Sequence, residues 1–257
     1  MRKQYMNGKL DSVTPSQVRE VTYSEKKQKI DFRSHLWAYL VIRPLSFYIA
    51  PFFLRAGTTA NQITGLGFGI LILAFVAMIL SPQYSGLLIA GALLVNVWYL
   101  LDFVDGCVAR YTNQGSLFGG FLDWFVGVVY HIGLPITVGL ALFQSGEFSA
   151  LESHTELPIT AGLWLVIASI DAIAQLFRKA IAQKIKTLLP ETDQDTIQEG
   201  VSLTMLAGAF SSFKPPLFLL AALVSAIDLW LLLYFMFNIA VLGPQLLLKS
   251  KQLRQHN

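Results

Sequence analysis

Asp102, Asp105 and Asp123 stand within a very apolar stretch of the chain, with Arg110 among them. Carboxylates inside a membrane segment are costly to keep and mark functional positions. Asp102 and Asp105 are three residues apart, so on a helix they share a face one turn apart. Asp123 falls about two turns into the next apolar segment, and an antiparallel neighbour would bring it opposite the pair. Three converging carboxylates repel one another unless cations neutralise them. Hard oxygen ligands with access to water suit Mg²⁺ or Mn²⁺ better than zinc, and such ions usually also hold substrate phosphates. Gly106 would let a ligand approach the backbone, and Arg110 offers a planar fork for phosphate oxygens. Gly119 precedes Asp123 by four residues, on the same face, and could leave room for a flat ring. An ion pathway or a structural network are the other readings of these residues.

The elements that must position this cluster are helices in a membrane. The 257 residues are 54% hydrophobic and 14% charged, with a mean hydropathy of +0.55, too apolar for a soluble domain. No short apolar segment with a cleavage site opens the chain. The lone cysteine, Cys107, excludes an internal disulfide. No internal repeat is visible. Residues 1–34 carry eight Lys or Arg against four Asp or Glu and read as a basic cytoplasmic segment on anionic headgroups. Residues 35–56 are apolar and aromatic but contain Arg43, Pro44, Pro51 and Arg55, a poor span and a better amphipathic helix in the interface. The expected fold is all-α: six transmembrane helices over 57–248 after that interfacial helix, with a cytoplasmic tail at 249–257. By the rule of about 20 apolar residues per crossing, the first four spans fall at 61–80, 84–104, 116–143 and 159–183. Two more lie between 196 and 243, separated by "SSFKPP". With the N-terminus cytoplasmic, the external turns hold one of the 19 Lys and Arg, Lys214. That asymmetry follows the positive-inside rule and puts both termini and the carboxylates on the cytoplasmic side.

The spacing Asp102, Asp105, Gly106, Ala109, Arg110, eight residues, Gly119, Asp123 resembles the motif of the CDP-alcohol phosphotransferase family, D-x-x-D-G-x-x-A-R-x8-9-G-x3-D-x3-D. Seven motif positions match. "RPLS" at 43–46 and "ANQIT" at 60–64 resemble the family's basic-Pro-x-Ser helix and its entry to the first span, with Ala60 in place of the usual proline. The resemblance implies a transferase that moves a substituted phosphate from a CDP-linked donor to an acceptor hydroxyl and releases CMP, in polar-lipid synthesis. Asp102, Asp105 and Asp123 would ligate Mg²⁺ or Mn²⁺; Asn61, Gly106, Ala109, Arg110 and Gly119 would hold nucleotide and phosphate. The family's last aspartate belongs at position 127, where this sequence has Gly127. That residue is the expected second-metal ligand and base. The nearest replacement is His131, one helical turn further and about 40° around the helix. A buried histidine satisfied by a neighbouring helix is the alternative. Asp171 and Asp228 are further candidates for the base. Arg178, Lys179, Lys184 and Lys186 would serve topology and headgroup contact or receive an anionic acceptor; His35 and His154 have no nameable partner. A pseudoenzyme that binds CDP or CMP without transfer is the competing function, and an ion-coupled transporter a remoter one. Expected partners are donor, acceptor and membrane lipids, with no nucleic acid; a homodimer is compatible with the sequence.

Overall fold

A computed structural model of the chain describes residues 12–84, 86–144, 150–151, 161–188 and 202–255. Every regular element among them is a helix. In chain order these are α1 (Pro15–Thr22), α2 (Glu25–Ser34), α3 (Arg43–Arg55), α4 (Ala60–Leu80), α5 (Gly86–Thr112), α6 (Leu117–Gln144), α7 (Ala161–Leu188), α8 (Ser202–Ser212), α9 (Lys214–Leu223) and α10 (Ile227–Gln255). Four helices among the described residues are long and apolar enough to cross a membrane: α4, α5, α6 and the 227–247 part of α10. Helix α7 carries Asp171, Arg178 and Lys179, and α8 and α9 are short, so none of these three is among the four. His154, the segment 189–201 and most of the acidic 144–158 loop lie outside the described residues, as does the side chain of Lys186.

The basic N-terminal segment is folded onto the bundle. Thr14 caps α1 in a reciprocal box with Gln17, and Ser24 caps α2. Val18 and Asp31 bury against the helices that follow. Helix α3 begins after a π-helical turn, Ala38–Ile42. Pro44 lacks an N–H and its ring would strike the carbonyl four residues back; the widened turn relieves that clash, and the helix runs on through Pro51. Its inner face buries Arg43, Ser46, Phe47, Ala50 and Leu54, while Leu45, Tyr48 and Phe52 stay exposed.

Thr59 and Gln62 form a capping box that starts α4. α4 packs along α5 and α6; α6 packs along α7, and α7 along α10. Two expectations are corrected here. The second segment does not end at residue 104: α5 continues to Thr112, so Asp102 and Asp105 sit inside a helix whose last two turns extend beyond them. Asn113, with φ 56°, then turns the chain toward α6. The second correction concerns "SSFKPP". Only Phe213 separates α8 from α9, because Pro215 falls in the first turn of α9, where its missing N–H costs nothing. The reversal comes at 224–226, where Ser225 has φ 52°. Lys214 is therefore no surface residue of an external turn; it is 3% exposed, inside the bundle. Helix α10 also continues through the expected tail to Gln255.

Candidate functional site

The seven motif positions and Asn61 all line one cavity of about 370 Å³ between α3, α4, α5 and the start of α6. Arg43, Thr64, Phe103, Gln114 and Ser116 complete much of its wall. Helical spacing explains the grouping. Asp102, Asp105, Gly106, Ala109 and Arg110 follow i, i+3, i+4, i+7, i+8 and so form one stripe of α5. Gly119 and Asp123 do the same on α6.

Each polar group has an identifiable hold. Thr64 Oγ1 donates to Asp105 Oδ2 at 2.6 Å and so ties α4 to α5. Asp102 and Asp123 approach within hydrogen-bonding reach of each other. The guanidinium of Arg110 lies over Gly106, whose added Cβ would be 3.1 Å from Nη2. Gly119 faces Asn61 still more closely: a Cβ there would meet Asn61 Oδ1 at 2.7 Å and Ser116 Oγ at 3.1 Å. A residue with any side chain at 119 would displace Asn61. Arg43 is fixed by a 2.8 Å ion pair with Asp31 of α2, and its guanidinium carbon sits 4.4 Å from the Phe103 ring centroid. Ser46 Oγ donates back to the Arg43 carbonyl and lies 3.6 Å from Cys107 Sγ.

Two carboxylates in contact need a proton or a cation between them. Among the described residues no three His, Cys, Asp or Glu side chains are drawn tightly enough to hold an ion as they stand. The donor set is nevertheless all oxygen, three carboxylates on one wall of one cavity, and this fits a hard divalent ion.

His131 is not in this cavity. It lines a second one of about 330 Å³ with Gln175, Arg178, Lys179, Lys214, Tyr234 and Asn238. A buried network shapes that space. Asp171 Oδ2 accepts from Gln175 Nε2 at 2.7 Å and Asp171 Oδ1 from Asn238 Nδ2 at 2.6 Å. Asn238 Oδ1 accepts from Arg178. A carboxylate only accepts, so the Gln175 amide must point Oε1 away from it. That oxygen meets Lys214 Nζ at 2.9 Å and His131 Nδ1 at 2.8 Å. Nδ1 then carries the proton, and in neutral imidazole Nε2 is left as the acceptor. Lys214 also lies 5.6–5.8 Å from the ring centroids of Tyr130, Trp230 and Tyr234.

Asp228 is spent elsewhere. It accepts from the backbone N–H groups of Ala150, Leu151 and Leu229 at the start of α10, a cap that ties the described part of the 144–158 loop down. Asp171 is buried and used by the network above. His35 lines a further cavity with Lys27, Asp31, Arg43, Tyr99 and Asp102. There burial, and then repulsion from Arg43 and Arg110, pulls the Lys27 pKa down to about 8.

Sequence reasoning missed Thr64 as a partner of Asp105, Arg43 as a wall of the cavity, Lys214 as a buried residue of the second cavity, and Gln175 altogether. The first two were in view as part of "ANQIT" and "RPLS"; no local signal marked the others.

A 67-residue stretch of the chain is 45% identical to the archaetidylinositol phosphate synthase of Pyrococcus horikoshii. The match covers 26% of this chain and 33% of that protein, so the chain spans about a third of the length of the curated relative it matches. The family model described as CDP-alcohol phosphatidyltransferase matches residues 57–242, more than half of the chain, from the start of the first span to the middle of α10. The chain belongs to the CDP-alcohol phosphatidyltransferase family.

Proposed function

We propose that the protein transfers a substituted phosphate from a CDP-linked lipid to the hydroxyl of a phosphorylated alcohol, with release of CMP. The observation that carries this reading is that Lys179, which lines the His131 cavity, also acts on Asp102 and Asp123 of the motif cavity. The motif cavity is lined by the seven motif positions; the other is lined by His131 and by Arg178, Lys179 and Lys214. Three cations around one space suit an anionic acceptor. The relative named above makes a phosphorylated product by its name, which agrees in kind.

In this reading Asn61, Gly106, Ala109 and Gly119 receive the cytidine nucleotide, and Arg110 meets its phosphate. Asp102, Asp105 and Asp123 would hold Mg²⁺ or Mn²⁺, which when bound supplies neutralisation of charge on the phosphoryl group and on leaving CMP. Arg178 and Lys214 position the acceptor's own phosphate. His131 takes the proton of the acceptor hydroxyl at Nε2, with Nδ1–H held by Gln175 and Gln175 held in turn by Asp171. We further read α7 and the broken pair α8–α9 as crossing the membrane beside the four clear spans, with α3 in the interface and both termini and the site cytoplasmic. The exposed Leu45, Tyr48 and Phe52 suit α3 to that position.

The test is CMP release by the purified protein in detergent with Mg²⁺ and CDP-diacylglycerol or its diether counterpart. Inositol phosphate and glycerophosphate are compared with their dephosphorylated forms. Release that depends on the acceptor's phosphate, and that EDTA abolishes, is expected. Release with free alcohols at equal efficiency would sink the acceptor assignment. The second reading, a CDP-binding pseudoenzyme, is favoured by Gly127 and would give metal-dependent binding of the CDP lipid with no CMP from any acceptor.

A further inference from the structure

Gly127 stands where the family motif has its last carboxylate, and the space beside it is filled. A Cβ built on Gly127 would lie 2.7 Å from Lys179 Nζ. The ammonium arrives from α7, which packs along α6, and reaches the position that a side chain at 127 would occupy. Its charge acts on Asp102 and Asp123.

Counting charge makes the consequence concrete. Asp102, Asp105 and Asp123 bring three negative charges to one wall. Arg43 is already paired with Asp31. Arg110 lies over Gly106 on the side that faces the nucleotide. Lys179 therefore offsets one of the three charges, and a single divalent ion offsets the other two. A second divalent ion would have to settle beside a fixed ammonium with no carboxylate at 127 to hold it. In a space of low dielectric that repulsion is large.

We propose that Lys179 substitutes for a second metal ion, so that this chain works with one divalent cation and a built-in ammonium. Gly127 and Lys179 are then two halves of one change: loss of the carboxylate opens the space, and the lysine fills it with the charge the missing ion would have carried. The inference rests on the reading of the three aspartates as metal ligands. It also gives Lys179 a place between the two cavities, because the residue lines the His131 cavity as well.

Mn²⁺ binding by the purified protein in detergent decides it, with free Mn²⁺ followed by electron paramagnetic resonance. One Mn²⁺ per chain is expected for the wild type, and two for the double variant Gly127→Asp/Lys179→Ala. The single variant Lys179→Met should bind its one Mn²⁺ about tenfold more tightly, because a like charge is gone. Two ions in the wild type, one in the double variant, or no tightening in Lys179→Met would each overturn the proposal while leaving the aspartate site intact. No bound Mn²⁺ in the wild type would instead overturn the aspartate reading, and the proposal with it. Thermal melting of each variant shows that it is folded, and these counts do not depend on turnover.

Discussion

Replacing Gly119 with alanine tests the end of the motif cavity where Gly119 and Asn61 meet. The new methyl would sit 2.7 Å from Asn61 Oδ1, where ordinary contact begins at 3.4 Å, so the amide must withdraw by about 0.7 Å. The obstruction is the end of a flexible side chain, not backbone, and the fold can absorb it. The apo protein should therefore melt within a few degrees of the wild type. Binding should suffer more, because losing a hydrogen bond to the ligand costs about 0.5–1.5 kcal/mol, up to roughly tenfold in affinity. A ligand at about 100 times its Kd stabilises the folded state by about 2.7 kcal/mol; after a tenfold loss of affinity about 1.4 kcal/mol would remain. The assay is thermal unfolding in detergent with Mg²⁺, with and without CDP-diacylglycerol. Gly69→Ala is the control. No atom lies within 4 Å of that added Cβ, and alanine in a helix gains about 0.5–1 kcal/mol over glycine. A Gly119→Ala protein that keeps the full ligand-induced shift would refute the placement of Gly119 and Asn61 at the nucleotide.

Three further outcomes follow from the same geometry. Asp105→Asn should abolish metal-dependent stabilisation by CDP-diacylglycerol, whereas Asp228→Asn should lower the melting temperature through its lost backbone contacts and leave that stabilisation intact; calorimetry in detergent separates the two. His131→Ala should reduce CMP release roughly 10²–10⁴-fold with CDP-lipid binding unchanged, and unaltered turnover would return His131 to a structural role. For Lys27 the sign is opposite to that of a paired lysine. Its folded pKa, about 8, is below the ordinary 10.5, so its charged form weakens the fold at all pH values below 8. Between about 8 and 10.5 the folded protein has released a proton that the unfolded chain still holds, and stability rises with pH. Lys27→Met should melt higher than the wild type at pH 7 and converge with it above pH 10.5; a lower melting point at pH 7 would contradict the assignment.

The carboxylate stripe was legible because the information is local. Asp102, Asp105 and Arg110 share a face by helical period alone, and the period holds in the folded chain. The start of the first span was legible for the same reason, since apolar length is a short-range signal; the Thr59–Gln62 box emerged only in the folded chain. The reversal near residue 225 was not. It is made by Ser225 at positive φ with no glycine or proline to announce it, while the conspicuous Lys-Pro-Pro run proved to be the first turn of a helix. The N-terminal helices carried readable caps at Thr14 and Ser24, yet their charge drew attention to headgroups rather than to the buried pair Asp31–Arg43. Lys179 against Gly127 was beyond reach for another reason. The two residues are brought together only by the packing of α6 on α7, and nothing in either neighbourhood forecasts the other.

The absent carboxylate bears on whether the chain is an enzyme, and the way its place is filled favours activity. At position 127 an aspartate would be asked to do two things, to bind an ion and to accept a proton. Lys179 can supply the positive charge but cannot serve as base while charged, so a base must come from elsewhere. In the proposed function His131 supplies it, with its Nδ1 held by Gln175 and its ring lining the second cavity. Asp171, Gln175, Asn238, Arg178 and Lys214 are costly to keep together inside a helix bundle, and apolar residues of similar volume would give an equal or more stable core. Their grouping around a cavity that Lys179 also lines is what the proposed acceptor would require. The argument predicts an asymmetry. Gln175→Met should spare CDP-lipid binding, but it should lower CMP release by weakening the orientation of His131. Equal losses of CDP-lipid binding and CMP release would leave Gln175 with a packing role alone.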